Sequence, residues 1–317
     1  MDSTNKTYPV VFCSDRNMLA ALHVAALTIL ENFEGRGRLE YHLFHDSLED
    51  ADIELLRETL SGSSKDWTLT AHLLEAKELE GFPTLMGSTA TYLRLFVPNH
   101  FDCPRILYCD IDTLCRVDLS ELFEMDMEGC PAGMIPEAPI TACADPGIVS
   151  LLGDRASGNY FNAGVLLVDC EKWKADNLTS ECLEFLASTP VNIWDQSALN
   201  FVLHGMVKPL PVQYNCRTND RSFWPHMVKP GEGQGRFLHF IDFPKPWSPF
   251  GKCVHPMGRL WKREYRKTAH FRERLPVNPK GVVHILKTST RGYVKVLKDR
   301  LLFFLLENKL VKKVKGM

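Results

Sequence analysis

The chain has 317 residues, of which 45% are hydrophobic and 24% charged, and a formal net charge of −2 at pH 7. Such a chain is a soluble, globular protein, large enough for one big α/β domain or one domain with an appendage. No apolar run approaches the roughly 18 residues of a membrane span, and nucleic acid is not an expected partner.

Residues 1–6 carry no signal-peptide pattern, because a strand-like run follows at once, so a cytoplasmic location is expected. Val10-Val11-Phe12 reads as a short apolar strand. Asn17 is placed to cap a helix whose apolar positions Met18, Leu19, Leu22, Ala26, Ile29 and Leu30 follow a helical period. Residues 39–44 return to strand, 52–60 to helix and 67–73 to strand. Residues 88–96 look helical and end at Pro98, and 105–109 form another strand. This alternation implies a mostly parallel sheet flanked by helices, with ligands beyond the carboxyl ends of the strands.

Further along, residues 132–135 and 161–168 are strand-like, and 180–187 and 196–203 helical. Residues 205–258 are rich in Pro and Gly and read as irregular structure wrapped over a site. There is no internal repeat. The absence of a Gly-x-Gly-x-x-Gly or Walker-type loop disfavours dinucleotide and ATP chemistry. The ten cysteines form no Cys-x-x-Cys pair, which disfavours a zinc site. Cys13, Cys109 and Cys170 lie in apolar runs and read as reduced, buried side chains.

The small net charge conceals an asymmetry. Residues 259–317 hold 17 Lys plus Arg against 4 Asp plus Glu, so the rest of the chain carries 20 basic and 35 acidic residues. The body, 1–258, is therefore acidic and the C-terminal segment, 259–317, basic. Around Tyr293–Leu306 the segment combines the apolar run 301–306 with flanking lysines. That pattern suits an amphipathic helix on an anionic membrane surface, the alternative being a helix docked on the body.

The most informative stretch is Tyr108-Cys109-Asp110-Ile111-Asp112. Two carboxylates one residue apart, straight after an apolar strand, can face one divalent cation as the chain turns. A cation held there would grip a diphosphate as it leaves. Alone, this motif arises often by chance.

Five other segments join it in order. They are Val10-Val11-Phe12-Cys13-Ser14-Asp15-Arg16-Asn17, Thr91-Tyr92-Leu93-Arg94-Leu95 and Tyr160-Phe161-Asn162-Ala163-Gly164-Val165, then Asp195-Gln196-Ser197-Ala198-Leu199-Asn200 and His239-Phe240 with Lys245-Pro246-Trp247. Together they resemble the glycosyltransferases of family 8, and the basic C-terminus resembles that of the family's bacterial lipooligosaccharide galactosyltransferases. The resemblance implies a single GT-A type nucleotide-diphospho-sugar transferase domain and a retaining hexosyl transfer. The donor would be UDP-galactose or UDP-glucose, and the acceptor a glycan or lipid-linked glycan, with lipopolysaccharide core expected. The enzyme would lie peripherally on the inner face of the membrane.

By the same resemblance Asp110, Asp112 and His239 bind the metal. An imidazole in the donor set favours Mn²⁺ over Mg²⁺. Donor contacts would come from Cys13, Asp15, Asn17, Arg94, Ile111, Glu137, Asn162, Ala163 and Lys245, with Asp195 and Gln196 at the anomeric face. Ala163-Gly164 would leave room for a ligand to approach the backbone. Two positions depart from the family pattern. Ser197 stands where Asp is usual, and Asp242 where Gly is common. Rival readings are a glycogenin-like glucosyltransferase, a non-catalytic UDP-sugar-binding module, and a nucleotidyltransferase. The last needs a Gly-rich basic loop that residues 10–20 lack.

Overall fold

The computed structural model describes residues 6–74, 81–82, 90–143, 145–190, 193–218, 233–241, 245–248, 255 and 257–273. Two sheets organise them. The larger has seven strands. In chain order these are β1 (Thr7–Ser14), β2 (Arg38–His45), β3 (Trp67–Leu73), β4 (Arg105–Cys109), β6 (Ala132–Pro139), β7 (Asn159–Asp169) and β8 (Val207–Pro209). Their spatial order is β3-β2-β1-β4-β7-β6-β8. Every pairing is parallel except those of β7, which runs against both β4 and β6. The expected mostly parallel sheet is therefore present, with one reversed strand.

Alternation along the strands divides the core between two faces. Val10 and Phe12 pack with α1 (Leu19–Asn32), while Val11, Tyr108 and Leu166 face the other layer. That layer includes α3 (Pro146–Leu152), α4 (Cys170–Ala175), α5 (Leu178–Ser188) and α6 (Trp194–Val202). Helix α1 is buried on nearly every side, as a helix that is apolar all round must be. It lies against a second, three-stranded sheet as well as the first. That sheet is β5 (Thr113–Cys115), β9 (Cys216–Arg217) and β10 (Phe237–His239), in the order β5-β10-β9.

Four local expectations differ from the structure. Asp15, not Asn17, supplies the cap: its Oδ1 accepts the Asn17 backbone N–H at 2.8 Å, starting a 3₁₀ turn (Arg16–Met18) ahead of α1. An Asx-type bond two residues on outcompeted the helix start. The Arg94 segment is 3₁₀ rather than α-helical (Ala90–Leu95), and residues 88–89 lie outside those described. Glu137 sits inside β6, which continues past its register irregularities to Pro139, rather than after it. The stretch 205–258, expected to be irregular, contributes β8, β9 and β10.

The helix expected at 52–60 is α2 (Asp50–Leu60), started by a reciprocal capping box between Glu49 and Asp52. The first part of the basic segment forms α7 (Gly258–Tyr265) and α8 (Ala269–Glu273), which pack on α1 and α2. Residues 274–317 and Asp242 lie outside the described residues.

Candidate active site

The site lies where the strand order reverses. β1 pairs with β2 on one side and β4 on the other, so the crevice beyond β1 and β4 is the topological switch point. Asp15 follows β1 there, and Asp110 follows β4.

Asp110-Ile111-Asp112 is the link by which the chain leaves the large sheet for the small one. Asp110 N–H still bonds the Gly164 carbonyl at 2.8 Å, while the Asp112 carbonyl accepts Phe240 N–H at 2.9 Å. Ile111 is buried in the core beneath this link, which leaves its two acidic neighbours facing outward. His239, at the end of β10, pairs with Thr113 across the small sheet. Its Nε2 stands 3.0 Å from Asp112 Oδ1 and 3.6 Å from Asp110 Oδ2. One ligand atom from each of the three residues lies within 4.8 Å of the others.

This trio fits a divalent cation. His239 Nδ1 is 2.8 Å from Asn215 Oδ1, an acceptor, so Nδ1 is taken up by that amide and Nε2 is the ring nitrogen turned to the carboxylates. Asn215 in turn donates to Asn162 Oδ1 at 2.7 Å, which fixes its amide. Burial alone would raise the carboxyl of Asp112, but Lys245 and His239 outweigh it and hold it below the usual carboxylate range. Asp112 is thus a ready anionic ligand. Lys245 Nζ lies 2.7 Å from Asp112 Oδ2 and also donates to the Phe240 and Ile241 carbonyls. It stands beside the trio, its charge set against Asp112.

Gly164 has a different use from the one expected. A Cβ there would lie 2.2 Å from His239 Cε1 and 2.7 Å from its Nδ1. The room is taken by the histidine ring, not kept for a ligand.

Arg94 is buried, with 8% of its surface exposed. Its guanidinium joins three parts of the site: Nη2 to Asp110 Oδ1 and Nε to Asp195 Oδ2, both at 2.9 Å, and Nη1 to the Ala163 carbonyl at 2.6 Å. It also stacks 4.7 Å over the Tyr108 ring, whose hydroxyl donates to Asp110 Oδ1 at 2.7 Å. Burial works against its charge, but Asp110 and Asp195 overcome it and raise its pKa. Burial raises the Asp195 carboxyl, with Arg94 opposing. Cys13 is buried beside this cluster, its thiol pushed up by burial and so kept neutral.

A second polar group adjoins the first. Gln196 Oε1 accepts from Ala163 N–H at 3.0 Å and from Asn162 Nδ2 at 3.2 Å. Glu137 Oε2 accepts from Asn162 Nδ2 at 3.3 Å, and Arg217 closes an ion pair on Glu137 Oε1. The structure thus brings together Asp110, Asp112, His239, Lys245, Arg94, Asp195, Gln196, Asn162, Ala163 and Glu137. Asp15 is half-buried at the end of β1, and Asn17 is exposed two residues on.

Sequence reasoning missed Asn215 and Arg217. Both lie in the stretch 205–258, where no periodicity marks them. Their only signal is polarity beside the buried Tyr214 and Cys216.

Comparison with known proteins agrees with this geometry. The model of the family described as glycosyl transferase family 8 matches residues 9–250. The lipopolysaccharide 1,3-galactosyltransferase of Salmonella typhimurium is 25% identical over 273 residues, 80% of this chain and 76% of its own. A lipopolysaccharide 1,2-glucosyltransferase of Escherichia coli K12 is 23% identical over 297 residues, 90% of this chain and 85% of its own. Among solved structures, galactosyltransferase LgtC in complex with donor and acceptor sugar analogues has a TM-score of 0.65 at 23% identity, covering 86% of this chain and 98% of that one. That likeness bears out the expected GT-A fold.

Proposed function

Because the chain belongs to glycosyltransferase family 8, we propose that it moves a hexose, galactose or glucose, from a UDP-sugar to a glycan acceptor with retention of configuration. The observation that carries this reading is the convergence of Asp110, Asp112 and His239 within ligand range of one another. The lipopolysaccharide sugar transferases it resembles favour a lipopolysaccharide-core acceptor.

A divalent ion held by Asp110, Asp112 and His239, Mn²⁺ rather than Mg²⁺ given the imidazole, would neutralise charge on the departing diphosphate. Lys245 adds a cation on the same side and binds phosphate oxygens. Asp15 and Asn17, beyond β1, suit the ribose and uracil. Asp195 and Gln196 bound the sugar pocket. Gln196 Oε1 is engaged by Ala163 and Asn162, and an amide is a weak nucleophile. Glu137 is tied to Arg217 and Asn162, and in this reading its carboxylate would lie near the oxocarbenium-like sugar. We favour front-face attack, with the donor's own phosphate oxygen taking the acceptor proton. A covalent sugar adduct on Gln196, Asp195 or Glu137 would reject it.

The test is UDP release with Mn²⁺ against a panel of UDP-sugars. Asp110→Asn should lower turnover by on the order of 10³-fold or more, as loss of a metal ligand and of charge stabilisation does. Near wild-type activity in that variant would refute the metal assignment. We further propose that the basic segment beyond α8 places the enzyme at the anionic inner surface of the membrane. Among the described residues no helix is long and apolar enough to cross one.

A further inference from the structure

Asp195 and Gln196 enter the site through an unusual piece of backbone. Trp194, immediately before them, has φ +39°. That is the left-handed region, where a bulky side chain is rare and costly, so the surrounding structure must impose it.

The hydrogen bonds of Ser197 impose it. Ser197 grips both backbone groups of Ile193: its N–H donates to the Ile193 carbonyl at 3.2 Å, and its Oγ accepts the Ile193 N–H at 3.1 Å. The Ser197 hydroxyl then donates its own proton to Asp145 Oδ2. Both Ser197 and Asp145 have no exposed surface. Asp145 belongs to a different segment, directly ahead of α3, and α3 packs on α6. A buried carboxylate 52 residues away thus fixes the hydroxyl that fixes the chain on the N-terminal side of Trp194. On the other side, Asp195 is tied to Arg94 and Gln196 to Ala163. With both ends held, Trp194 has no relaxed alternative.

We infer that Asp145 is a positioning residue of the transfer site: through Ser197 it holds Ile193 and Trp194 so that Asp195 and Gln196 project at the donor sugar. This rests on the reading of Asp195 and Gln196 as sugar-facing. It also gives Ser197, which departs from the family's usual Asp, a use as a hydroxyl relay rather than a sugar contact.

The experiment compares Ser197→Ala, Asp145→Ala and Asp145→Asn with wild type. Losing the relay should lower kcat by on the order of 100-fold, the effect of a misplacement of about 1 Å at a reacting centre. The Mn²⁺ affinity and donor KM should stay within about threefold, because the metal trio is untouched. Asp145→Asn, whose Oδ1 still accepts the Ser197 proton, should keep most of kcat. Trp194→Gly in the Ser197→Ala background should recover kcat at least tenfold, since glycine adopts positive φ without the latch. Wild-type kcat in both alanine variants overturns the inference, as does the absence of rescue by Trp194→Gly in a variant with native circular dichroism. Amide exchange at Ile193 is read in parallel: unchanged protection in Ser197→Ala also overturns it. That readout needs no turnover. If wild type is inactive on every UDP-sugar, the functional reading fails while the latch is still tested.

Discussion

At the scale of single residues, the site is built from side chains whose freedom has been removed. His239 can present only Nε2, because Asn215 takes Nδ1. Gly164 is required because the imidazole fills the space a Cβ would occupy. Gly164→Ala should therefore weaken Mn²⁺ binding by about 10–100-fold, the usual cost of disturbing a ligand's supporting contacts. Titrating the protein against the free-Mn²⁺ electron paramagnetic resonance signal would measure it. An unchanged affinity would mean that the ring does not ligate. Asp110 and Asp112 were legible in the sequence because they follow the apolar strand-like run 105–109, and His239 because His239-Phe240 with Lys245-Pro246-Trp247 resembles the family's closing motif. Asn215 and Arg217 were not. Their partners lie 24 and 80 residues away, and no local pattern encodes such a pairing.

At the scale of elements, α1 is the hub. It lies against both sheets and receives α2, α7 and α8. His23 on α1 is fully buried, with Nδ1 2.7 Å from Thr59 Oγ1 on α2 and its ring 5.2 Å from His270 on α8. Burial, reinforced by His270, lowers its pKa from 6.5 to about 3. Burial also lowers His270, with Asp52 opposing. A histidine depressed in the folded state is neutral there, while the unfolded chain takes up protons below its own pKa. The stability tied to His23 is complete above 6.5 and falls as pH drops from 6.5 towards about 3. Between 6.5 and about 5 the loss should be about 2 kcal/mol, at about 1.4 kcal/mol per unit. Urea unfolding across that range should show the decline. His23→Gln should flatten it, and an unaltered slope would place the acid sensitivity elsewhere, as in His42 on β2 and His72 on the edge strand β3, both lowered chiefly by burial.

At the scale of the whole molecule, an acidic body carries a basic C-terminal segment. The first of that segment, α7 and α8, is part of the body: Trp261 and Ala269 are buried, and Lys267 and Arg272 pair with Glu31 and Glu58. Deleting residues 293–317 should therefore leave donor hydrolysis and unfolding midpoint unchanged while abolishing sedimentation with anionic vesicles. Retained sedimentation would reject a role for those residues at the membrane, and loss of hydrolysis would show that they belong to the catalytic unit.

From the chain alone came the alternating α/β architecture, the place of the two aspartates beyond the carboxyl end of a strand, and the six ordered motifs that resemble the family. The first two rest on side-chain periodicity and chain order, which neighbouring residues set, and the third on short motifs that survive in order. The strand order that makes the aspartates' crevice a switch point came from the fold. Only the tertiary structure decided what each polar side chain touches. The small sheet swings His239 beside Asp112, Arg94 turns inward to join Asp110 and Asp195, and Ser197 answers to Asp145. Such partners are chosen by how distant segments pack, because a buried polar group must be satisfied by whatever the fold places beside it.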